Sequence, residues 1–500
     1  MYLNLFTTIT VFALQTVINF FLTPYILRVL GDEAYGFLAL ANSFVNYGFI
    51  LTLVINSVAS RFIASAYHKG NFTKASKFYS SVLMANLIFS VIVAFISLIF
   101  LLKIQSVINI SDALLDDVRA TMAIYFINFS IGLFNAIFSV HAFIKNQMYL
   151  ISIRNAISTT IYAGCVLWLF WAFEAMIYYT AIAALISSIF VFFSALVLNR
   201  KFGLNLIFSP KYFRINFIKV LARSGLFNSL NMLSQVLLSG ASLLLVNIFI
   251  NALSMGTLAI SRSVIMIVES FVITTAVAWD PRLVQIHANA KPLKDEAILA
   301  IKSVSFIALP LIATFGVLAD EFYRLWLPFK SSDEIDYIYE LVLISLLPSI
   351  IFASSRPLIS TYLITDRLKR PALVTLFMAV CVFCVQIIGL AFFNFGLKEI
   401  VMTITIGISL KITLFDVANA GVNLGLKFST FYPIYFKSLG VFVLITAIVY
   451  PFSNILNISN WLEFLIYAVA ISTLGYLIAF MIIFTKEQRA IFIGKIRGRF

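Results

Sequence analysis

Fourteen stretches of this chain run for 19 to 27 residues with few or no charges: 5–27, 36–58, 80–102, 120–144, 155–173, 176–198, 224–250, 256–279, 303–322, 341–363, 372–393, 400–421, 438–456 and 462–484. An α-helix needs about 20 apolar residues to cross about 30 Å of hydrocarbon. The pattern therefore predicts an all-α integral membrane protein with fourteen transmembrane helices. Barrel strands are excluded, because they are about ten residues long and alternate in polarity, whereas these runs are continuous in Leu, Ile, Phe and Ala. The first stretch follows only Met1 to Asn4, lacks a basic leader and is too long for a cleaved signal, so it is expected to remain as the first helix.

Composition agrees: 62% of the residues are hydrophobic and 11% charged, far from a soluble enzyme or a disordered regulator. Three cysteines in 500 residues exclude a disulfide scaffold. The net charge of +14 could point to nucleic acid in a soluble chain, but here its placement gives another reading. With fourteen spans and the N-terminus inside, 26 of the 35 basic residues fall in inside segments and 14 of the 21 acidic residues outside. That asymmetry is the positive-inside pattern. It predicts a multi-pass protein with both termini cytoplasmic, and it leaves the excess charge at an anionic membrane face with no nucleic acid required.

A shift of 220 residues lays Gln15 on Gln235, Gly36 on Gly256, Leu38-Ala39 on Leu258-Ala259 and Ser43 on Ser263. Spans 1–6 and 7–12 would then be parallel repeats about an axis along the membrane normal. The expected organisation is an N-terminal six-helix bundle (1–198), a basic cytoplasmic linker (199–223), a pseudo-symmetric C-terminal six-helix bundle (224–421), helices 13–14 (422–484) and a basic tail (485–500). The tail intersperses Ile491, Phe492, Ile493 and Ile496 with basic residues, which predicts an interfacial amphipathic anchor.

No enzyme signature or nucleotide-binding loop occurs, so no cofactor is expected and ATP is not the direct fuel. Cys381 and Cys384 have CxxC spacing but lie mid-span, where thiols act as small apolar groups. His141 could relay protons, although an interior hydrogen-bonded histidine is the plainer reading. Five ionisable residues lie within spans: Arg262, Glu269, Arg356, Lys411 and Asp416. Each costs at least about 2.5–3.5 kcal/mol at mid-bilayer, so each should face a cavity or a partner. All five belong to the second bundle, and spans 1–6 are expected to hold no buried charge. Glu269 is placed to meet Lys411 or Arg356 across helices, which leaves Arg262 as the uncompensated cation. Its guanidinium fork suits phosphate oxygens. Span 7 carries Asn228, Asn231, Gln235, Ser239 and Ser242 at intervals of three and four, one polar stripe read as lining a cavity. Thr8, Gln15 and Asn19 make a thinner stripe in span 1, equally readable as interhelical glue, and span 2 offers Asn42, Ser43 and Asn46.

The segment from Tyr25 to Gly36 (YILRVLGDEAYG), then Ser60-Arg61-Phe62-Ile63-Ala64, the stretch from Gly70 to Lys77, Leu309-Pro310 and Leu325-Trp326-Leu327 resemble the polysaccharide transport family. That family holds the O-antigen and capsule repeat-unit flippases of the multidrug/oligosaccharidyl-lipid/polysaccharide (MOP) superfamily. The resemblance implies two six-helix bundles around a central cavity that opens alternately to each side of a bacterial cytoplasmic membrane. The implied cargo is an oligosaccharide on a polyprenyl diphosphate carrier, and glycan polymerase and other polysaccharide assembly proteins are implied partners. The sugar cannot cross unaided, since its hydroxyls would lose water without replacement hydrogen bonds. The expected substrate-binding residues are Arg262, Arg356, Lys411, Gln235, Asn231, Asn228, Gln15, Arg61 and Arg28, the last two at the rims. Glu269 and Asp416 are the candidates for coupling to H+ or Na+. A cation-coupled multidrug exporter of the same superfamily competes, but it should prefer a carboxylate-rich cavity. A membrane-embedded glycan polymerase or ligase ranks third, because the outer segments near 103–119 and 323–340 are short for a catalytic loop.

Overall fold

The structure is a computed structural model that describes all residues except 1, 146, 202–205, 290–291, 366, 454–457 and 491–500, together with all side chains but those of 2–6, 8–9, 51, 136, 239, 288, 363 and 452–453. The Ile491–Ile496 part of the predicted anchor and the side chains of Thr8 and Ser239 lie outside the described residues. All regular structure among the described residues is helical. Thirteen helices are long and apolar enough to cross a membrane, and a bent pair brings the number to fourteen.

The membrane helices are α1 (Tyr2–Leu30), α2 (Asp32–His68), α3 (Phe72–Leu102), α4 (Leu115–Phe138), α5 (Met148–Ala172), α6 (Ile177–Lys201), α7 (Ile215–Phe249), α8 (Ala252–Val277), α9 (Lys294–Val317), α10 (Ser332–Ile364), α11 (Lys369–Phe392), α12 (Leu397–Asn423), α13 (Tyr432–Ser453) and α14 (Trp461–Ile483). Each coincides with one predicted span. The chain divides into two compact units, Met1–Ala259 and Ile260–Phe500.

In the first unit, α2 is the central strut. It bends by 61° between Asp32–Ile50 and Thr52–His68, where the Thr52 hydroxyl donates to the Phe49 carbonyl at 3.0 Å, a side-chain bond of the kind that opens a helix ladder. Around it pack α3, α4 and α7, while α4 lies on α6 and α1 on α5. The Asp117 carboxylate accepts from the Ile177 and Tyr178 N–H groups, both at 2.7 Å, and so closes the N-terminus of α6, where unpaired N–H groups favour an anion. Deeper in the unit, Asn56 and Asn86 exchange amide bonds at 3.0 and 3.2 Å, and Asn86 also donates to the Leu133 carbonyl at 2.9 Å. This buried network ties α2, α3 and α4. Asn86→Leu should strand the Asn56 amide and lower stability by about 1–3 kcal/mol, read as the shift of the unfolding transition in detergent. A change within experimental error would show that the network holds nothing together.

At the opposite end from the α2–α3 turn, Asn109 and Asn247 form a reciprocal lock. The Asn109 N–H donates to Asn247 Oδ1 at 2.8 Å, Asn109 Nδ2 to the Asn247 carbonyl at 2.8 Å, and Asn247 Nδ2 to the Asn109 carbonyl at 3.0 Å. The lock fastens the segment after α3 to the end of α7.

In the second unit, α9 packs against α10, α13 and α14. The Tyr476 hydroxyl donates to the Ile307 carbonyl at 3.0 Å, and Thr314 and Ser472 share a hydrogen bond of 3.1 Å, so α14 is fastened directly to α9. Between α9 and α10, the short amphipathic helix Ala319–Trp326 places Phe322 and Trp326 beside Trp461 and Phe464, an aromatic belt of the kind found at a membrane interface. Arg324 sits beside it between Asp320 at 2.9 Å and Asp336 at 2.5 Å. The hydrogen bond to Asp320 holds its guanidinium above the ordinary arginine range.

Candidate functional site

Most of the predicted charges lie in the second unit. Arg262 and Glu269 stand seven residues apart on α8, and the Arg262 charge acts on the Glu269 carboxyl. Arg356, half-buried on α10, lays its guanidinium 5.8 Å from the Phe352 ring centroid and feels the Asp280 carboxylate. Its Nη1 has no hydrogen-bond partner among the described residues.

Lys411 and Asp416 overturn the expected pairing. The Lys411 ammonium lies 2.7 Å from Asp416 Oδ2, and no ion pair joins Glu269 to Lys411 or Arg356 among the described residues. The cause is local. Residues Lys411–Asp416 form a π-helix inside α12, and its i→i+5 bonding brings positions five apart onto one face. In a plain α-helix those positions would be about 140° apart around the axis. Asp416 is 1% exposed, and its Oδ1 has no hydrogen-bond partner among the described residues. The Tyr362 hydroxyl donates to the Asp416 backbone carbonyl at 2.8 Å, which fixes the π-turn against α10.

A second π-helix, Val236–Gly240 in α7, breaks the stripe predicted there. Before it, Asn228 donates to the Ser57 hydroxyl of α2 at 3.3 Å, Asn231 is half-buried and Gln235 is exposed. Beyond it, Ser242 is fully buried and bonds the Leu238 carbonyl at 3.3 Å. The wider π-turn rotates the later positions away from the earlier ones, so Ser242 does not share a face with Asn228, Asn231 and Gln235. In α1, Gln15 Nε2 donates to Thr159 Oγ1 of α5 at 3.1 Å, which makes it glue between two helices. Ser43 returns its side chain to its own helix at Ala39, and Asn42 donates to the Leu38 carbonyl while also bonding Tyr125 of α4. Arg28 and Arg61 are exposed near the ends of α1 and α2, and Arg61 lies 5.6 Å from the Phe62 ring centroid. His141 is fully buried with Nδ1 2.5 Å from the Phe138 carbonyl, as the plainer reading expects.

The first six helices do hold a buried charge, contrary to expectation. Arg154 on α5 is 7% exposed, its Nε and Nη1 have no hydrogen-bond partner among the described residues, and its charge bears on His141. The sequence pattern placed Arg154 in a loop because the apolar run begins after it, whereas α5 starts at Met148. The polar residues Ser152, Asn155, Ser158 and Thr159 on either side of the arginine were the available signal that the helix extends over it.

Residues 8–151 match the MatE family. The structure of the lipid II flippase MurJ in an inward closed conformation superposes with a TM-score of 0.71 at 16% identity, covering 96% of this chain and 98% of that one. The inward-facing conformation of a multidrug resistance MATE family transporter of the MOP superfamily gives a TM-score of 0.65 at 14% identity, covering 84% and 98%. The chain has the MOP-superfamily fold. Among curated proteins, the uncharacterized membrane protein EpsK of Bacillus subtilis (strain 168) is 26% identical over 519 residues, covering 99% of this chain and 98% of the relative. Within this MOP fold, the described residues contain no group of three or more His, Cys, Asp or Glu able to hold a metal ion. The chemistry on offer is that of buried cations: guanidinium donors at Arg154 and Arg356, Arg262 beside Glu269, and one closed pair at Lys411 and Asp416.

Proposed function

We propose that this MOP-fold chain is a flippase that carries polyprenyl-diphosphate-linked oligosaccharides from the inner to the outer leaflet of a bacterial cytoplasmic membrane, by alternating access, for surface polysaccharide assembly. Both termini are cytoplasmic in this reading, and glycan polymerase and other assembly proteins receive the cargo. The observation that carries it is the pair of arginines, Arg154 and Arg356, within membrane helices, each with guanidinium nitrogens lacking a partner among the described residues. A buried donor left unmade is costly, and a diphosphate offers pairs of negatively charged oxygens that a planar guanidinium fork fits. The exposed amide of Asn19 lies within an apolar helix, where lipid cannot satisfy it, and is available to sugar hydroxyls. Arg262 and Lys411 add positive potential, while Glu269 and Asp416 are the carboxylates available to a coupling proton or sodium ion.

Reconstituted vesicles test the reading. Arg356→Ala and Arg154→Ala should each slow translocation of a lipid-linked oligosaccharide by roughly ten- to hundred-fold, the worth of one charge-assisted hydrogen bond of about 1.5–3 kcal/mol, with insertion and folding unchanged. Undiminished transport in both variants would remove the buried arginines from the mechanism.

The MatE match over residues 8–151 favours a second reading, a cation-coupled multidrug exporter. An exporter of cationic drugs depends on carboxylates to bind its cargo. Dye efflux abolished by Glu269→Gln and indifferent to Arg356→Ala would select that reading over the first.

A further inference from the structure

The C-terminal end of α2 and the N-terminal ends of α3 and α7 enclose a cleft of about 670 Å³, a size typical of small-ligand sites. Its floor is aromatic. Phe78 meets Phe217 edge-on with ring centroids 4.4 Å apart, and Phe62 lies 5.6 Å from Phe78. Lys69, Asn71, Lys74 and Asn216 form its walls. Lys69 and Lys74 are exposed, and neither makes an ion pair among the described residues. No counter-charge is near in sequence, since segments 59–80 and 206–225, which build the cleft, contain no Asp or Glu, whereas they carry Arg61, Lys69, Lys74, Lys77, Lys211, Arg214, Lys219 and Arg223. The cleft opens at the ends of three membrane helices, the depth at which lipid headgroups lie, and Phe72 and Val220 are exposed close to its walls.

A free phosphate would satisfy the lysines and leave the partly exposed Phe62 and Phe217 uncovered, and a neutral lipid would do the reverse. We propose that the cleft is an anionic-lipid site, separate from the buried arginines, that holds a lipid phosphate between Lys69 and Lys74 with the first carbons of its tail on Phe62, Phe78 and Phe217. Basic pockets between membrane helices on the positive side take lipid phosphates by this chemistry. The phosphate can come from a phospholipid of the surrounding leaflet or from a polyprenyl diphosphate awaiting transport, and the site stands whichever function the chain performs.

Native mass spectrometry of the full-length protein in detergent tests it, with phosphatidylglycerol, a polyprenyl diphosphate and zwitterionic phosphatidylcholine titrated separately. Lys69→Gln/Lys74→Gln should lower retention of at least one anionic lipid by roughly tenfold or more and leave phosphatidylcholine unaffected. Lys427→Gln/Lys437→Gln, which removes two exposed cations of the second unit, should change nothing. Loss of phosphatidylglycerol alone identifies the bulk lipid as occupant, and loss of the polyprenyl diphosphate identifies the carrier. Equal retention of both anionic lipids by wild type and the Lys69/Lys74 variant overturns the proposal. Retention is read without transport, so this outcome is independent of the flippase reading.

Discussion

Lys411→Met should destabilise the protein by about 3–5 kcal/mol, and adding Asp416→Leu should recover most of that loss. Asp416 is 1% exposed, and Lys411 is its partner at 2.7 Å. Removing the lysine leaves a carboxylate buried in a membrane helix with Oδ1 already unsatisfied among the described residues. Removing both charges leaves an apolar contact between two side chains of similar reach. A double-mutant cycle on purified protein, by thermal or denaturant unfolding in detergent, gives the coupling energy directly. A coupling below about 1 kcal/mol, the worth of an exposed pair, would mean that the ammonium and carboxylate do not depend on each other. The same double variant separates two roles for Asp416. If the pair only closes a π-turn, the folded double variant transports. If Asp416 binds the coupling ion, the double variant folds but loses ion-driven transport.

The pair also marks where sequence reasoning stops. All fourteen membrane helices were legible, because span length and freedom from charge are properties of composition that the bilayer itself enforces. The pairing of Lys411 with Asp416 was not. It depends on a π-helix, which has no hydrophobic signature of its own, and a reader who assumes 3.6 residues per turn puts the two on different faces. The π-turn at Val236–Gly240 likewise split a stripe that looked regular at intervals of three and four. Arg154 was missed because polar residues from Ser152 to Thr159 interrupt the apolar pattern around it, so a membrane arginine was read as a loop residue. Gln15 shows the converse limit. A lone amide in a span predicts a polar partner but not whether that partner is a ligand or, as with Thr159 at 3.1 Å, the next helix.

Gly225→Ala should cost at least about 3 kcal/mol, beyond the usual effect of overpacking, because the obstacle is backbone. A Cβ at Gly225 would run into the Val54 carbonyl oxygen of α2, and one at Gly256 into the Asp32 carbonyl oxygen at the far end of the same helix. Neither obstacle can swing aside as a side chain could, so α7 or the start of α8 must move away from α2. Gly36 faces the same constraint from the other side, with its added Cβ 2.8 Å from Gly256 N. The two glycines aligned by the 220-residue shift are therefore in contact in space. Gly164 is the control. A Cβ there meets nothing within 4 Å, and alanine in a helix interior gains about 0.5–1 kcal/mol over glycine, so Gly164→Ala should be neutral or stabilising. Unfolding transitions of the two alanine variants decide the matter, and a Gly225→Ala protein within about 0.5 kcal/mol of wild type would show that α2 and α7 are not packed backbone to backbone. Close packing also bears on transport. Where Gly225 brings backbone against backbone the seam has few rotamers to reorder as it opens and closes, so if α2 and α7 part during the cycle, Gly225→Ala should favour the parted state. Cysteines placed at Ser57 and Asn228, which bond at 3.3 Å across this seam, should then crosslink less readily in the Gly225→Ala protein than in its absence.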